Sequence, residues 1–534
     1  MVNKLYTAEE AVKCVKDGDA VVISGFILEM TADEICCALR KRYLETESPK
    51  GITIINSACP GEFADGQDRG MNALGIEGLL KRTITGFYGN ADRVKKLALE
   101  NKIESYNFPL GVISHLLREF ARGNKGNLTK IGLKTFADPR LEGTRTNAVS
   151  KEDYVKLVEV DGEEYLYYTC QKPDIAIIRA TTADEYGNLT FENEAVLVLA
   201  QVAAMATYQN HGTVIVQVKN YVSAGSLPAQ AVHIPGIYVD RVVVCSDVDR
   251  YHRQTSGVVY DPVFSGHYRR SGLAAQVLPL DERKIIGRRA AMELMPEAVV
   301  NLGIGMPETV SSVAAEEGIA DKLVLTVETG GVGGVPAPGK DFGASANSWS
   351  MVGEDKIFDL YDGGGLDVCF LGGAQIDPKG DVNSSKFAGR GGMMGCGGFI
   401  NISQPTRNIV FCFTFTSGGL QVEVKNGKLT IVKEGRIKKF LKEVEQVTFS
   451  GDYANDTDQD VLYVTERAVF KLTRAGLELT EIAPGVDLEK DILEQMEFAP
   501  IVSKDLKQMD AKIFSAGKVG IKEIVLAKEK SSKC

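Results

Sequence analysis

Asp174-Ile175-Ala176-Ile177-Ile178, then Asp184, then Gly187-Asn188-Leu189, reads as a buried strand followed by a tight turn and a return. The chain repeats this plan as Asp367-Val368-Cys369-Phe370-Leu371, then Asp377, then Gly380-Asp381-Val382. In both copies ten positions separate the two aspartates, and three separate the second aspartate from its glycine. A third apolar run follows each copy, at 213–218 and at 409–415. Matching spacings in the same order predict an internal duplication.

Upstream of each copy the pattern extends. Ala8, Ala11, Val12 and Val15 recur at helical spacing, which predicts a helix over 8–16. Thr7 and Glu10 form its capping-box signature. Asp17-Gly18-Asp19 then turns the chain into Ala20-Val21-Val22-Ile23 and Ser24-Gly25-Phe26. Thr31 with Glu34 starts a second helix with Ile35, Ala38 and Leu39 inward. In the second half, a helix over 287–294 leads to Ala298-Val299-Val300 and the turn Gly303-Ile304-Gly305. Pro307 suits the first turn of the helix that follows, with Val310, Val313 and Ala314 on its apolar face. Continuous apolar strands alternating with helices predict α/β architecture with buried, mostly parallel sheets. The boundary is expected near 276–282, around Pro279, giving domains 1–278 and 279–534 with a ligand site in the cleft between them.

The chain has 534 residues and a net charge of −10. The charge is spread out, with Arg436, Lys438 and Lys439 as the largest basic cluster, which argues against nucleic acid as a partner. An anionic ligand remains compatible, because backbone amides bind phosphate without a basic surface. Ten cysteines occur without a CxxC pair, as expected of reduced thiols in a cytoplasmic protein. No signal-peptide core follows Met1, and no apolar run reaches membrane-spanning length.

Glycine is the unusual component of the composition, at 55 residues. It clusters at Gly330-Gly331, Gly333-Gly334, Gly363 to Gly365, Gly391-Gly392 and Gly397-Gly398. Such clusters mark tight turns or close approach of backbone to a ligand. The most informative stretch runs Leu323-Val324-Leu325-Thr326-Val327-Glu328-Thr329-Gly330-Gly331. Glu328 stands at the carboxyl end of a buried strand, where α/β folds place active sites. Its carboxylate is either a nucleophile or general base, or a structural turn residue. Gly303-Ile304-Gly305 precedes a helix and offers amides to an anion, but it lacks the third glycine of a dinucleotide fingerprint. Gly395-Cys396-Gly397-Gly398 offers donors to a developing negative charge, or is a tight loop. Tyr361 to Asp367 allows the same two readings. Only His115, His211, His233, His252 and His267 are present, none paired at metal-ligand spacing, and no GxSxG elbow exists. The residues therefore favour carboxylate and backbone chemistry.

Taken together, these segments resemble the family I CoA-transferases of the single-chain propionate and acetate type. The resemblance rests on Ser24-Gly25-Phe26, Asp184 to Leu189, Asn301 to Gly305, Glu328-Thr329-Gly330, Tyr361 to Asp367, Gly395 to Asn401, Thr465-Glu466-Arg467 and Ala483-Pro484-Gly485. It implies two related open-sheet α/β domains with the active site between them. It places the catalytic glutamate on Glu328, and oxyanion or CoA contacts on Gly303, Gly305, Gly330, Gly331, Gly395, Gly397 and Gly398. It also implies CoA as a substrate, no tightly bound cofactor or metal, acyl-CoA and short-chain carboxylates as partners, and a homo-oligomer.

The sequence departs from the family pattern in three places. Leu110 stands where relatives often carry glutamine, Ser57-Ala58-Cys59-Pro60-Gly61 replaces a Gly-Ser-Gln-Gly stretch, and Leu28-Glu29 replaces Gly-Asn. These changes point to an acyl pocket, including Phe26 and Leu110, whose preferred carboxylate differs from propionate. Two other functions fit related scaffolds: an acyl-CoA hydrolase, which needs no carboxylate acceptor, and a non-catalytic effector-binding module.

Overall fold

The structure is a computed structural model and describes residues 3–64, 66–271, 277–389 and 392–528. Gly391 and Gln276 lie outside the described residues. The chain forms two compact units. The first comprises Met1–Arg270, Val327–Asp359 and Gly389–Asn401, and the second Ser271–Thr326, Leu360–Ala388 and Ile402–Cys534. Two segments from the later half of the sequence, including the one that carries Glu328, thus pack with the first unit.

The first unit is built on parallel strands in the order Leu5–Tyr6, Arg241–Val244, Thr213–Val222, Ile175–Asp184, Ala20–Ile23, Ile52–Asn56, Leu80–Thr85 and Glu104–Asn107. In the second unit the parallel order is Asp460–Val464, Asn408–Cys412, Val368–Leu371, Val299–Leu302 and Val324–Thr326. Antiparallel strands Ala468–Thr473 and Gly476–Ile482 extend that sheet. The central strands are buried along their length, as the unbroken Val/Ile runs require when both faces of a sheet are covered. Each unit has its own apolar core, one around Val21, Ile54 and Ile177, the other around Val300, Phe370 and Val464.

The repeated aspartates explain why the spacing is kept. Asp174 Oδ2 accepts the Ala20 N–H (2.9 Å), and Asp367 Oδ2 accepts the Val299 N–H (2.8 Å). Each carboxylate thereby ties the start of its strand to the neighbouring strand. Asp184 Oδ1 accepts from the N–H groups of Tyr186 (3.0 Å) and Asn188 (2.9 Å), and Asp377 Oδ1 from those of Lys379 (2.9 Å) and Asp381 (3.1 Å). An aspartate that closes its own turn in this way needs the glycine three residues on, and Gly187 and Gly380 both adopt positive φ (85° and 81°). The duplication read in the sequence is therefore present in topology and in hydrogen bonding.

Local boundaries differ in four places. The helix expected over 8–16 is an α-turn at Ala8–Ala11 that tightens to a 3-10 turn at Val12–Cys14, with the Thr7–Glu10 capping box intact. Thr31 does not cap the next helix, which spans Asp33–Thr46. Its hydroxyl instead donates to Ile27 O (2.9 Å), while Gln217 Oε1 accepts the Glu34 N–H (3.0 Å) that a cap would have taken. The helix expected over 287–294 runs Glu282–Ala291, because Asp281 caps it by accepting from Lys284 N. The helix after Pro307 starts at Thr309.

Candidate active site

Glu328 follows the strand Val324–Thr326 at its carboxyl end, as the sequence predicts. A turn closed by Gly330 N–H to Val327 O (2.9 Å) holds it. Gly330 has φ 110°, and a Cβ there would sit 1.9 Å from Val352 O, so only glycine lets the two backbones meet. Gly331 pairs with Met351 in a short antiparallel ladder. Gly330 and Gly331 thus build the turn that presents the carboxylate. Thr329 Oγ1 donates to Gly343 O (2.6 Å) and fixes the next residue along.

Part of Glu328 is open to solvent, so a substrate can reach it. The packing around it nonetheless strips away enough water to push its carboxyl up to about 7, with the Gly398 N–H as the opposing influence. A carboxylate with a raised pKa is more basic, and at neutral pH a large share of it remains ionised. Gly398 approaches so closely that an added Cβ would lie 2.2 Å from Glu328 Oε2 and 3.0 Å from Phe358 Cζ.

The loop Gly395–Gly398 is anchored within the first unit. Cys396 N–H donates to Asn107 Oδ1 (3.0 Å), and Leu110 N–H donates to Gly397 O (2.9 Å). Asn107 Nδ2 in turn donates to the carbonyls of Thr85 (2.8 Å) and Gly86 (2.7 Å). Gly397 N–H donates to Gly86 O (2.7 Å). The Gly397 amide, expected among the oxyanion or CoA contacts, is bonded to the scaffold in this structure, and Gly398 supplies the N–H that faces Glu328. The run Gly363 to Gly365 is also structural. Gly364 N–H and Gly365 N–H bond the carbonyls of Tyr361 (2.9 Å) and Leu360 (2.8 Å), closing the end of the helix Glu354–Asp362.

Phe26 and Leu110 lie in the first unit with Glu328, and both are buried. The Phe26 ring packs 5.9 Å from that of Phe342, and Gly343 lies between Phe26 and Thr329. Leu110 begins the helix Leu110–Ala121, whose Gly111 touches Phe358 and accepts support from Asn401, with Gly111 N–H to Asn401 Oδ1 at 3.1 Å. Gly303 and Gly305 belong to the second unit. Gly303 N–H donates to Phe370 O (2.8 Å), and nothing crowds Gly305, which has φ 86°. All nine cysteines among the described residues are free thiols. Among the described residues no cluster fits a metal ion, and no helix is long and apolar enough to cross a membrane.

Sequence reading missed one side chain near Glu328, and it gave no sign of how a second acid, Glu29, is buried elsewhere in the first unit. Glu354 is fully buried and accepts a hydrogen bond from Ser57 Oγ (2.9 Å). An acid at the start of a helix looks like a surface residue in sequence, and only its four-residue offset from Phe358 hinted at an inward face. Glu29 is buried as well, and neither of its carboxyl oxygens has a hydrogen-bond partner among the described residues.

Comparison with known proteins agrees with this arrangement. The family model described as Coenzyme A transferase matches residues 5–245 and 283–388. The chain is 46% identical to caffeate CoA-transferase of Acetobacterium woodii, over 96% of this chain and 97% of that protein. It is 44% identical to acetate CoA-transferase YdiF of Escherichia coli (strain K12), over 96% of each. The crystal structure of acyl-CoA transferase YdiF from E. coli O157:H7, described as a thioester complex with CoA, superposes with a TM-score of 0.89 at 42% identity, covering 97% of both chains. With an accessible carboxylate of raised pKa at a strand end, and with near-full-length similarity on both sequence and structure, this chain belongs to the coenzyme A transferase family, enzymes that pass CoA between acyl-CoA thioesters and carboxylates.

Proposed function

We propose that this enzyme transfers CoA between short-chain acyl groups and carboxylates by a ping-pong route through a glutamyl-CoA thioester on Glu328. The observation that carries this reading is the Glu328 carboxylate, reachable by substrate, desolvated by its surroundings and held by one backbone N–H. It is supported by similarity to YdiF, whose crystal structure is described as a thioester complex with CoA. The Glu328 carboxylate attacks the thioester carbonyl of acyl-CoA. The C–S bond breaks, CoA leaves as thiolate, and a mixed anhydride remains. The thiolate attacks the Glu328 carbonyl carbon, the anhydride C–O bond breaks, and the first carboxylate departs. The acceptor carboxylate then runs both steps in reverse. Each addition generates an oxyanion that needs a donor.

The test is trapping. With acetyl-CoA present and acceptor withheld, intact-mass and peptide analysis are expected to find CoA on Glu328. Borohydride is expected to convert that thioester to an alcohol and end activity irreversibly. CoA on a different carboxylate, or on none, overturns the route. A strict requirement for a carboxylate acceptor separates transfer from hydrolysis, because a hydrolase would release acid from the same intermediate in water.

The acyl side is the part of the site in which this chain departs from relatives, so Leu110→Gln is expected to change acceptor preference. A matrix of acyl-CoA donors and carboxylate acceptors should show rates shifting by about tenfold between acceptors, while CoA exchange stays nearly constant. Equal effects on every pair would remove Leu110 from the acyl pocket. A cytoplasmic location and self-association complete the proposal, and light scattering of the purified protein tests the latter.

A further inference from the structure

Gly111 and Gly398 come from segments far apart in the chain, yet the ring of Phe358 crowds both. A Cβ on Gly111 would lie 2.5 Å from Phe358 Cδ1 and 2.7 Å from Cγ. A Cβ on Gly398 would lie 3.0 Å from Phe358 Cζ, 3.3 Å from Cε1 and 2.2 Å from Glu328 Oε2. The base of the ring therefore rests on the helix Leu110–Ala121, and its tip reaches the same small space beside Gly398 that the Glu328 carboxylate reaches.

The ring is held from behind. Phe358 belongs to the helix Glu354–Asp362 and has no surface exposed. The next residue, Asp359, pairs with Arg118 Nη1 (2.5 Å) and lies 3.2 Å from His115 Nε2, both on the helix Leu110–Ala121. His115 Nε2 also lies 3.1 Å from Asp355 O. These contacts clasp the two helices together, and Asn401 Oδ1 accepts the Gly111 N–H (3.1 Å).

An apolar wall at this place has a chemical consequence. A carboxylate that loses solvating water to hydrocarbon is harder to ionise and more basic. Burial is the largest influence on Glu328 and pushes its carboxyl up to about 7, against the Gly398 N–H. Two ionisable groups sense Glu328: Glu354, on the helix of Phe358, and Cys396, in the Gly395–Gly398 loop. Burial raises the pKa of both, which favours their neutral forms. Packing, rather than a neighbouring charge, thus governs the ionisation of Glu328.

We propose that Phe358 is a positioning residue for the nucleophile: its ring keeps water from one side of the Glu328 carboxylate and, by filling the space beside Gly398, holds the Gly398 N–H against it. The inference rests on Glu328 as nucleophile. Phe358 touches no reacting atom and takes no part in bond making.

The test compares Phe358→Leu, Phe358→Ala and Phe358→Met in full-length protein, reading the rate of CoA trapping on Glu328 from acetyl-CoA across the neutral pH range. Leucine and alanine shorten the side chain and admit water beside the carboxylate, whereas methionine keeps an apolar reach close to that of the ring. In the alanine variant the midpoint of the pH profile is expected to fall by about 1 pH unit, as the carboxyl returns toward its ordinary range. The plateau rate is expected to fall about tenfold, because a rehydrated carboxylate is a weaker and less well placed nucleophile. Leucine should show both changes to a smaller degree, and methionine should restore the wild-type midpoint. CoA affinity should stay within about threefold throughout. Lost stability lowers the amount of active protein without moving the midpoint, so an unmoved midpoint in folded alanine or leucine variants overturns the proposal. So does a methionine variant whose midpoint falls as far as that of alanine. If the alanine protein does not fold, the leucine variant decides. CoA found on another carboxylate of the wild-type protein would overturn the nucleophile and this inference with it, whereas CoA on Glu328 with an unmoved midpoint overturns the role of Phe358 alone.

Discussion

Glu328→Gln protein is expected to lose transfer by a factor on the order of 10⁶, the scale of removing a covalent nucleophile from a working constellation. An amide is close in size to the carboxylate and accepts the Gly398 N–H through its oxygen, so folding and CoA affinity should persist. It has no anionic oxygen to attack a thioester, so both trapping and turnover should disappear. Slow deamidation regenerates glutamate, and the mass of each preparation must therefore be checked before a residual rate is assigned. A verified variant that turns over near the wild-type rate would remove Glu328 from the chemistry. The wild-type pH profile provides a second measure. The nucleophile must be ionised, and burial pushes its carboxyl up to about 7. The value of kcat/KM should accordingly rise with pH through the neutral range and level off above it. A profile flat from pH 5 to 9 would contradict the raised pKa.

Gly398→Ala should also be damaging, to a smaller degree and for a different reason. The substitution keeps the backbone N–H, and the φ of Gly398 is not among the positive ones, so alanine is tolerated by the backbone. The new methyl group, however, would lie 2.2 Å from Glu328 Oε2. Either the carboxylate or the loop has to move by about an ångström to relieve the contact. Misplacement on that scale costs roughly 10²-fold in a pre-organised site, and the displaced hydrogen bond adds to the loss. We expect kcat to fall by about 10²–10³ with a thermal melt close to wild type. CoA trapping on Glu328 should slow by the same factor. Activity within about threefold of wild type would mean that Glu328 does not need the position it holds beside Gly398.

Much of the architecture was written in local pattern. The strand at 174–178 and its copy at 367–371 repeat because the aspartate at each start ties one strand to the next, and the second aspartate closes its own turn. These contacts join residues whose identity and spacing stand out in a linear reading. The Thr7–Glu10 capping box is legible for the same reason, since both partners lie within one turn. The candidate position of Glu328 followed from a buried strand opening into glycines, again a local signal.

What the tertiary structure alone decided is how the donors and acids are used. Gly397 and Gly398 are adjacent and look alike in sequence, yet one N–H is spent on Gly86 O and the other faces Glu328. The partner that makes the difference lies far away in the chain, so no local rule distinguishes the two. Thr31 lost its capping role to Gln217 in the same way. Glu354 reads as an ordinary first-turn acid, and only the packing of Ser57 and the surrounding core removes its water. Sequence periodicity determined which backbone stretches become strands and helices. Hydrogen-bond commitment and desolvation, which depend on groups distant in sequence, determined the chemistry available at Glu328.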